Sequence, residues 1–194
     1  SPVKEFEMLD VRTLLHDAVE ITRTRWQNEA RLRGLEYDVQ LNAESGINTY
    51  GSASELREVF VNLIVNAVDA MPRGGKLHVT GHHQDGRLQL RFCDNGTGMA
   101  EDVKQKIFEP FFSTKGAHGT GLGLSVSYSI IERHEGSICV DSEPGNGTTF
   151  TIDLPAVVPE AQLEESIELR DEMPSLRILV VDDEPSVRET LAEM

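Results

Sequence analysis

The dipeptide Asp85-Gly86 separates two runs that read as strands, Lys76–His83 and Arg87–Asp94. An Asp-Gly pair between strands is a strong signal for a two-residue hairpin, so the two runs are expected to be antiparallel neighbours. On the second run Leu88, Leu90, Phe92 and Asp94 share one face, because strand side chains alternate. Three helical patterns stand ready to cover such a face. Asp10 reads as the N-cap of a helix that runs through about Arg33 and ends at Gly34. Its apolar stripe is irregular: Leu14, Leu15, Ala18, Val19, Ile21 and Trp26. Ser52 and Glu55 have capping-box spacing before a second helix, which runs to about Met71 and is stopped by Pro72, Gly74 and Gly75. A third spans about Leu122 to His134. Further strands are expected at Leu35–Leu41 and Ile47–Tyr50, and as a closing hairpin of Gly136–Ser142 with Thr148–Leu154. The fold class expected is α+β: a two-layer α/β sandwich with one mixed, mostly antiparallel sheet and helices on one face.

Composition limits what the chain can do. It has 194 residues, 39% hydrophobic and 26% charged, ordinary for a soluble globular domain with extra segments. No apolar run approaches the roughly 20 residues of a membrane helix, and no signal segment opens the chain. No membrane contact is expected of these residues, and the cytoplasm is the expected location, whatever anchor a longer parent protein has. Cys93 and Cys139 lie in apolar strand-like stretches and are expected to be buried thiols in a reducing compartment. The net charge is −15. Residues 156–194 hold 11 acids and 3 bases, hence −8 of it; residues 1–155 hold the other −7. So acidic a balance argues against a nucleic-acid partner.

Three polar patterns stand out. On the second helix Asn62, Asn66 and Asp69 share a face with Glu55 and Glu58. Asn is a mediocre helix former, and two of them one turn apart call for a reason. They either form a solvated face or present amide oxygens to magnesium and phosphate. Asp94 points with the apolar side chains of its strand, so its carboxylate needs a partner, which a turn amide or a ligand amino group can supply. The run Asp94-Asn-Gly96-Thr-Gly98-Met99 then lets the backbone approach a ligand closely. Finally, Gly119-Thr120-Gly121-Leu122-Gly123 precedes the third helix and offers backbone N–H groups at a helix start, with Lys115 just before it. The long polar stretch from Asn95 to Thr120 that joins these patterns reads as a functional loop with a short helix inside.

Taken in order, these segments resemble the GHKL ATPase superfamily and, within it, the ATP-binding catalytic domain of histidine kinases. Asn62-Leu-Ile-Val-Asn66-Ala-Val-Asp-Ala is similar to the N box, Asp94-Asn-Gly-Thr-Gly98 to the G1 box, Phe108-Glu-Pro-Phe-Phe-Ser-Thr-Lys115 to the F box and Gly119-Thr-Gly-Leu-Gly-Leu124 to the G2 box. Pro144-Gly-Asn-Gly-Thr148 resembles the closing glycine turn. The resemblance covers about residues 6–155. It implies ATP and Mg2+ as ligands, with Asn66 as the metal ligand and Asn62 beside it ordering phosphate or water. It implies Asp94 accepting from the adenine amino group, Gly96 and Gly98 opening the adenine pocket, and Lys115 near the γ-phosphate. Gly119, Gly121 and Gly123 would let a lid close, and Phe108, Phe111 and Phe112 would anchor it. Asp69, Met99, Phe108, Thr120, Leu122 and Thr148 complete the expected binding residues. Relatives that hydrolyse ATP carry Glu where this chain has Asn62; Asn cannot act as a base, so poor hydrolysis is expected.

The family's phosphoacceptor is a histidine on a helical dimerisation domain. No such motif occurs here: His16 lacks the residues that should follow it, and His134 ends the third helix. His78, His82 and His83 lie on a strand, and His118 in the lid. The expected partner is thus the protein's own dimerisation domain, outside this chain. Residues 156–175 read as an acidic linker. Residues 176–194, with Arg177-Ile-Leu-Val-Val-Asp182-Asp183-Glu184, resemble the opening of a response-regulator receiver domain, as in a hybrid kinase feeding a downstream regulator. Residues 156–194 are expected to be poorly ordered, or to lend Leu176–Val181 to a sheet edge. Two other functions stay open: an ATPase that drives clamp closure, and a nucleotide-sensing module without catalysis.

Overall fold

The computed structural model describes residues 6–32, 34–114 and 120–157, with only the backbone of Glu29. Sequence expectations for Lys115, His118 and Gly119, and for the segments from residue 158 onward, lie outside the described residues.

Five strands form one sheet in the order β2-β4-β5-β7-β6. They are β2 (Tyr37–Ala43), β4 (Gly75–Gln84), β5 (Arg87–Asp94), β6 (Ser137–Ser142) and β7 (Thr148–Pro155). Only β2 with β4 is parallel; β4-β5, β5-β7 and β7-β6 are antiparallel. Asp85 and Gly86 have φ of 51° and 74°, the positive values that a hairpin turn of the expected type requires. The alternation predicted for β5 holds: Leu88, Leu90, Phe92 and Asp94 are buried, and the residues between them are not.

Helices α1 (Val11–Arg23), α3 (Ala53–Ala70) and α5 (Gly123–Arg133) cover the buried face. The core joins Leu15, Leu56, Phe60, Leu63, Leu77, Leu90, Phe92 and Ile152. Each fully buried side chain of this size contributes about 1.5–3 kcal/mol. The Phe60 and Phe92 rings lie 5.9 Å apart and tie α3 to β5. A short α4 (Glu101–Lys104) interrupts the long loop, as expected.

The first helix departs from expectation in its middle. Asp10 caps it, accepting from the Arg12 N–H at 3.2 Å. Thr24–Glu29 then form a π-helical turn, after which Ala30–Leu32 (α2) resume the α-helix. Buried positions run Ala18, Thr22, Trp26, Ala30, a step of four. Four residues overshoot an α-turn by about 40°, so the wider turn keeps this row on the core. Ile21, expected in the stripe, is 57% exposed; Thr22 is buried in its place and donates to the Ala18 carbonyl at 2.8 Å.

Other expectations are corrected. Ser52 caps α3 without a side-chain hydrogen bond. The capping box is replaced by a distant residue: the Ser52 N–H donates to His134 Nε2 at 3.0 Å, and Glu55 is buried in an ion pair with Arg133 at 3.2 Å. Cys93 and Cys139 are exposed, because each alternates with buried neighbours and points away from the helices. A strand absent from the sequence reading, β1 (Glu7–Asp10), pairs antiparallel with β3 (Asn48–Gly51) in a second sheet. Val157 bridges to Asn48 and its N–H donates there at 2.7 Å, so the first two residues read as linker belong to the folded unit.

Candidate functional site

A cavity of about 460 Å³ opens between α3, the end of β5 and the start of α5. That volume suits a ligand of nucleotide size. Its wall brings together residues from every segment that the sequence singled out. Asn62, Asn66 and Asp69 come from α3; Asp94, Gly98 and Met99 from the β5 end; Thr120, Gly121 and Gly123 from the start of α5; and Thr148 from β7.

The floor is Asp94. Its strand phase carries it inward and leaves it 5% exposed. Oδ1 accepts from the Gly96 N–H at 2.8 Å. Burial holds its carboxyl above the ordinary carboxylate range, while the backbone amides of Gly96 and Thr148 pull the other way. Close by, Ser142 Oγ donates to the Gly147 carbonyl at 2.8 Å, accepts from the Met99 N–H at 2.9 Å and lies 3.0 Å from Thr148 Oγ1. This hydroxyl fixes two lining residues at once. Gly98 has φ +64°, and a Cβ there would stand 1.9 Å from the Glu143 carbonyl oxygen, so no other residue fits.

The other end is built on the two asparagines. Asn66 Nδ2 donates to Asn62 Oδ1 at 3.3 Å, and Asn62 Nδ2 donates to Ser127 Oγ of α5 at 2.9 Å. This chain of donors links α3 to α5 beside the start of α5. A Cβ on Gly123 would lie 2.5 Å from Asn62 Oδ1, so glycine is what lets the helix start come this close. Amide oxygens are hard ligands of the kind magnesium takes. A helix start with its free N–H groups favours an anion.

Among the described residues, three expected binding residues are not in the wall. Gly96 packs instead against the end of α3, where a Cβ would meet the Ala70 carbonyl at 2.5 Å. Phe108 lies between Tyr128 and Phe150, with centroids at 5.4 and 6.4 Å. Leu122 is 40% exposed. Of the three phenylalanines expected to anchor the loop, Phe108 and Phe112 pack on the core, but Phe111 is 77% exposed with φ +66°. Its N–H donates to the Gly121 carbonyl at 2.9 Å, so the backbone makes that contact and the ring does not.

The sequence reading missed Arg25, Ser127 and Ser142. The two serines carried a signal: Ser142 falls in phase with buried Ile138, and Ser127 with buried Ile130 and Ile131. A polar residue in an apolar phase was the clue that found Asp94. Arg25 carried none, because it reaches the cavity through the π turn. Among the described residues no group of three or more His, Cys, Asp or Glu side chains is arranged to hold a metal ion.

A family profile described as histidine kinase-, DNA gyrase B-, and HSP90-like ATPase matches residues 51–158. Sporulation kinase B of Bacillus subtilis is 40% identical over 122 residues, 62% of this chain and 28% of that protein. The catalytic domain of the histidine kinase ThkA superposes with a TM-score of 0.67 at 28% identity, over 78% of this chain and 95% of that one. Full-length ShkA in complex with AMPPNP superposes with a TM-score of 0.68 at 25% identity, over 81% of this chain and 32% of that one. The chain thus spans less than a third of the length of sporulation kinase B and of ShkA.

Proposed function

Since this chain belongs to the histidine kinase-, DNA gyrase B-, and HSP90-like ATPase family, we propose that it is the ATP-binding catalytic domain of a sensor histidine kinase. Its task is to deliver the γ-phosphate to a histidine on a dimerisation domain in two-component signalling. The observation that carries this reading is the buried Asp94 carboxylate in the cavity wall, an acceptor that a purine amino group can meet. The ShkA complex with AMPPNP supports the same choice of ligand.

The site's own residues have separable tasks. Asp94 selects the base. Asn66 offers an amide oxygen to magnesium, which when bound neutralises part of the polyphosphate charge. The start of α5 at Gly123 faces the phosphates with its N–H groups. Asn62 is held by Ser127 and has no basic atom, so it orders its neighbours without activating water. That favours storage of the phosphoryl group for another acceptor over hydrolysis, and it counts against the ATP-driven clamp. Lys115 and Gly119 are assigned to the γ-phosphate and the lid on the family resemblance.

Exposed Leu122 and Val126 lie one turn apart at the start of α5, and exposed Phe111 is tied to that start by its N–H to the Gly121 carbonyl. This apolar patch adjoins the phosphate end of the cavity. It is the surface assigned to the dimerisation domain, whose histidine must come within reach of the γ-phosphate. The receiver-like segment from residue 176 is assigned to a phosphorelay in the same parent.

The test is calorimetric titration of Mg-ATP and Mg-ADP into this chain and into Asp94→Asn. Binding that Asp94→Asn removes supports the adenine assignment; equal binding by both overturns it. Addition of a separate dimerisation domain with labelled ATP then distinguishes a kinase from a nucleotide sensor, which forms no phosphohistidine.

A further inference from the structure

The described wall of the cavity holds two carboxylates, Asp69 and Asp94, and one cation, Arg25. The cation comes from the π turn of the first helix, outside the four boxes and the closing glycine turn that carry the family resemblance. Arg25 Nη2 lies 2.5 Å from Asp69 Oδ1, and Asp69 follows Asn66 by three residues on the same face of α3. The guanidinium is therefore held one helical turn beyond Asn66, on the side of the cavity away from Asn62. Its side chain is 47% exposed, so water and solutes reach it.

We propose that Arg25 is a phosphate-binding residue of the nucleotide site, poised by Asp69 and brought to the cavity by the π turn. The inference rests on the reading of the cavity as an ATP site. Asp69 stands one turn from the Asn66 amide assigned to the metal, and its charge repels a polyphosphate there unless a cation faces it. A guanidinium has donors to spare: one edge stays on Asp69 while the remaining N–H groups take phosphate oxygens. The local irregularity of the helix fits this role. The π turn at Thr24–Glu29 keeps the row Ala18, Thr22, Trp26 and Ala30 on the core and at the same time carries Arg25 to the cavity, and turns of this kind are often found at functional sites.

The experiment compares adenosine, ADP and ATP, each with magnesium, on the unmodified chain, Arg25→Gln and Arg25→Lys, by calorimetry with a thermal melt of each variant. Arg25→Gln is expected to weaken ATP about tenfold and to leave adenosine within about twofold, since charge-assisted hydrogen bonds to phosphate are lost and the adenine contacts are not. Arg25→Lys is expected to recover part of the loss, as a point charge without the fork. Equal weakening of adenosine and ATP, or a Tm that falls in step with affinity, overturns the assignment and makes Arg25 a structural residue. ATP binding unchanged in Arg25→Gln overturns it too. Failure of the unmodified chain to bind any of the three ligands overturns the ATP-site reading, and this inference with it.

Discussion

At the scale of single residues, Asp94 sets a measurable link between protons and ligand. Its folded pKa is raised by burial above the ordinary 3.8. Between those two values the fold holds a proton that the unfolded chain has released. Asp94 therefore favours the fold in acid, and that contribution is lost as pH rises through the folded pKa. Adenine recognition runs the other way, because the amino group needs the ionised acceptor. Adenosine affinity is expected to fall as pH drops through the raised pKa, and binding near that pH should release a proton. Adenosine is the ligand of choice because it lacks a titrating phosphate. Titration in two buffers of different ionisation enthalpy, over roughly pH 4 to 7, reads the proton directly. Buffer-independent heats across that range would remove Asp94 from the adenine site. The two cysteines make a second residue-scale prediction. Both should react with a thiol reagent in the native protein at the rate of exposed thiols, with no slow phase that awaits unfolding. Their exposure was legible: the alternation that turns Asp94 inward turns Cys93 outward, and Ile138 does the same to Cys139. The expectation of burial followed the habit of the residue type where the phase of the strand decided the matter.

At the scale of elements, the periodic segments were read well and the long-range ties were not. Strand phase, the Asp85-Gly86 turn and three helices follow from local pattern, and they positioned most of the cavity wall. The β1-β3 pair joins segments whose link is closed only by tertiary structure, and β1 buries Leu9 alone, so it shows no alternation to declare it. The start of α3 shows the same limit. Ser52 and Glu55 spell a capping box, yet the acceptor of the Ser52 N–H comes from the far end of α5. His134 is 2% exposed, stacks on Phe6 at 4.7 Å, and donates from Nδ1 to the Ile130 carbonyl at 2.7 Å. It thus caps α3, ends α5 and seats the N-terminal strand. His134→Ala leaves a buried N–H without an acceptor and a gap under Phe6. A loss of about 2 kcal/mol or more is expected. A urea midpoint unchanged from the parent chain would show that water replaces the ring at no cost. Ser52→Ala, by contrast, removes a side chain that makes no cap hydrogen bond, and should cost well under the roughly 1 kcal/mol of a usual N-cap.

At the scale of the whole molecule, the question is where the nucleotide-binding unit ends. The last sheet strand stops at Pro155, but the chain stays tied beyond it. The Ala156 N–H donates to the Gly86 carbonyl at 3.1 Å, and the Val157 N–H to that of Asn48 at 2.7 Å. Asn48 belongs to the second sheet, so residue 157 fastens that sheet to the main one. A cut after 157 preserves these ties, while a cut at 154 also removes Pro155, whose carbonyl accepts from buried Thr49 Oγ1 at 2.8 Å. A chain of residues 1–157 is expected to unfold in one transition at the urea midpoint of the full chain, and a chain of residues 1–154 at a clearly lower one. Charge adds a second readout. Residues 158–194 contain all 11 acids and 3 bases of the acidic C-terminal segment, so the shorter chain carries −7 where the full one carries −15. ATP is itself a polyanion. Chain 1–157 should therefore bind it at least as tightly as the full chain at low salt, with any difference vanishing at about 1 M salt, where screening acts within roughly 3 Å. Weaker binding by 1–157 at every salt concentration would mean that residues beyond 157 contribute contacts to the site, and the unit would then have to be drawn to include them.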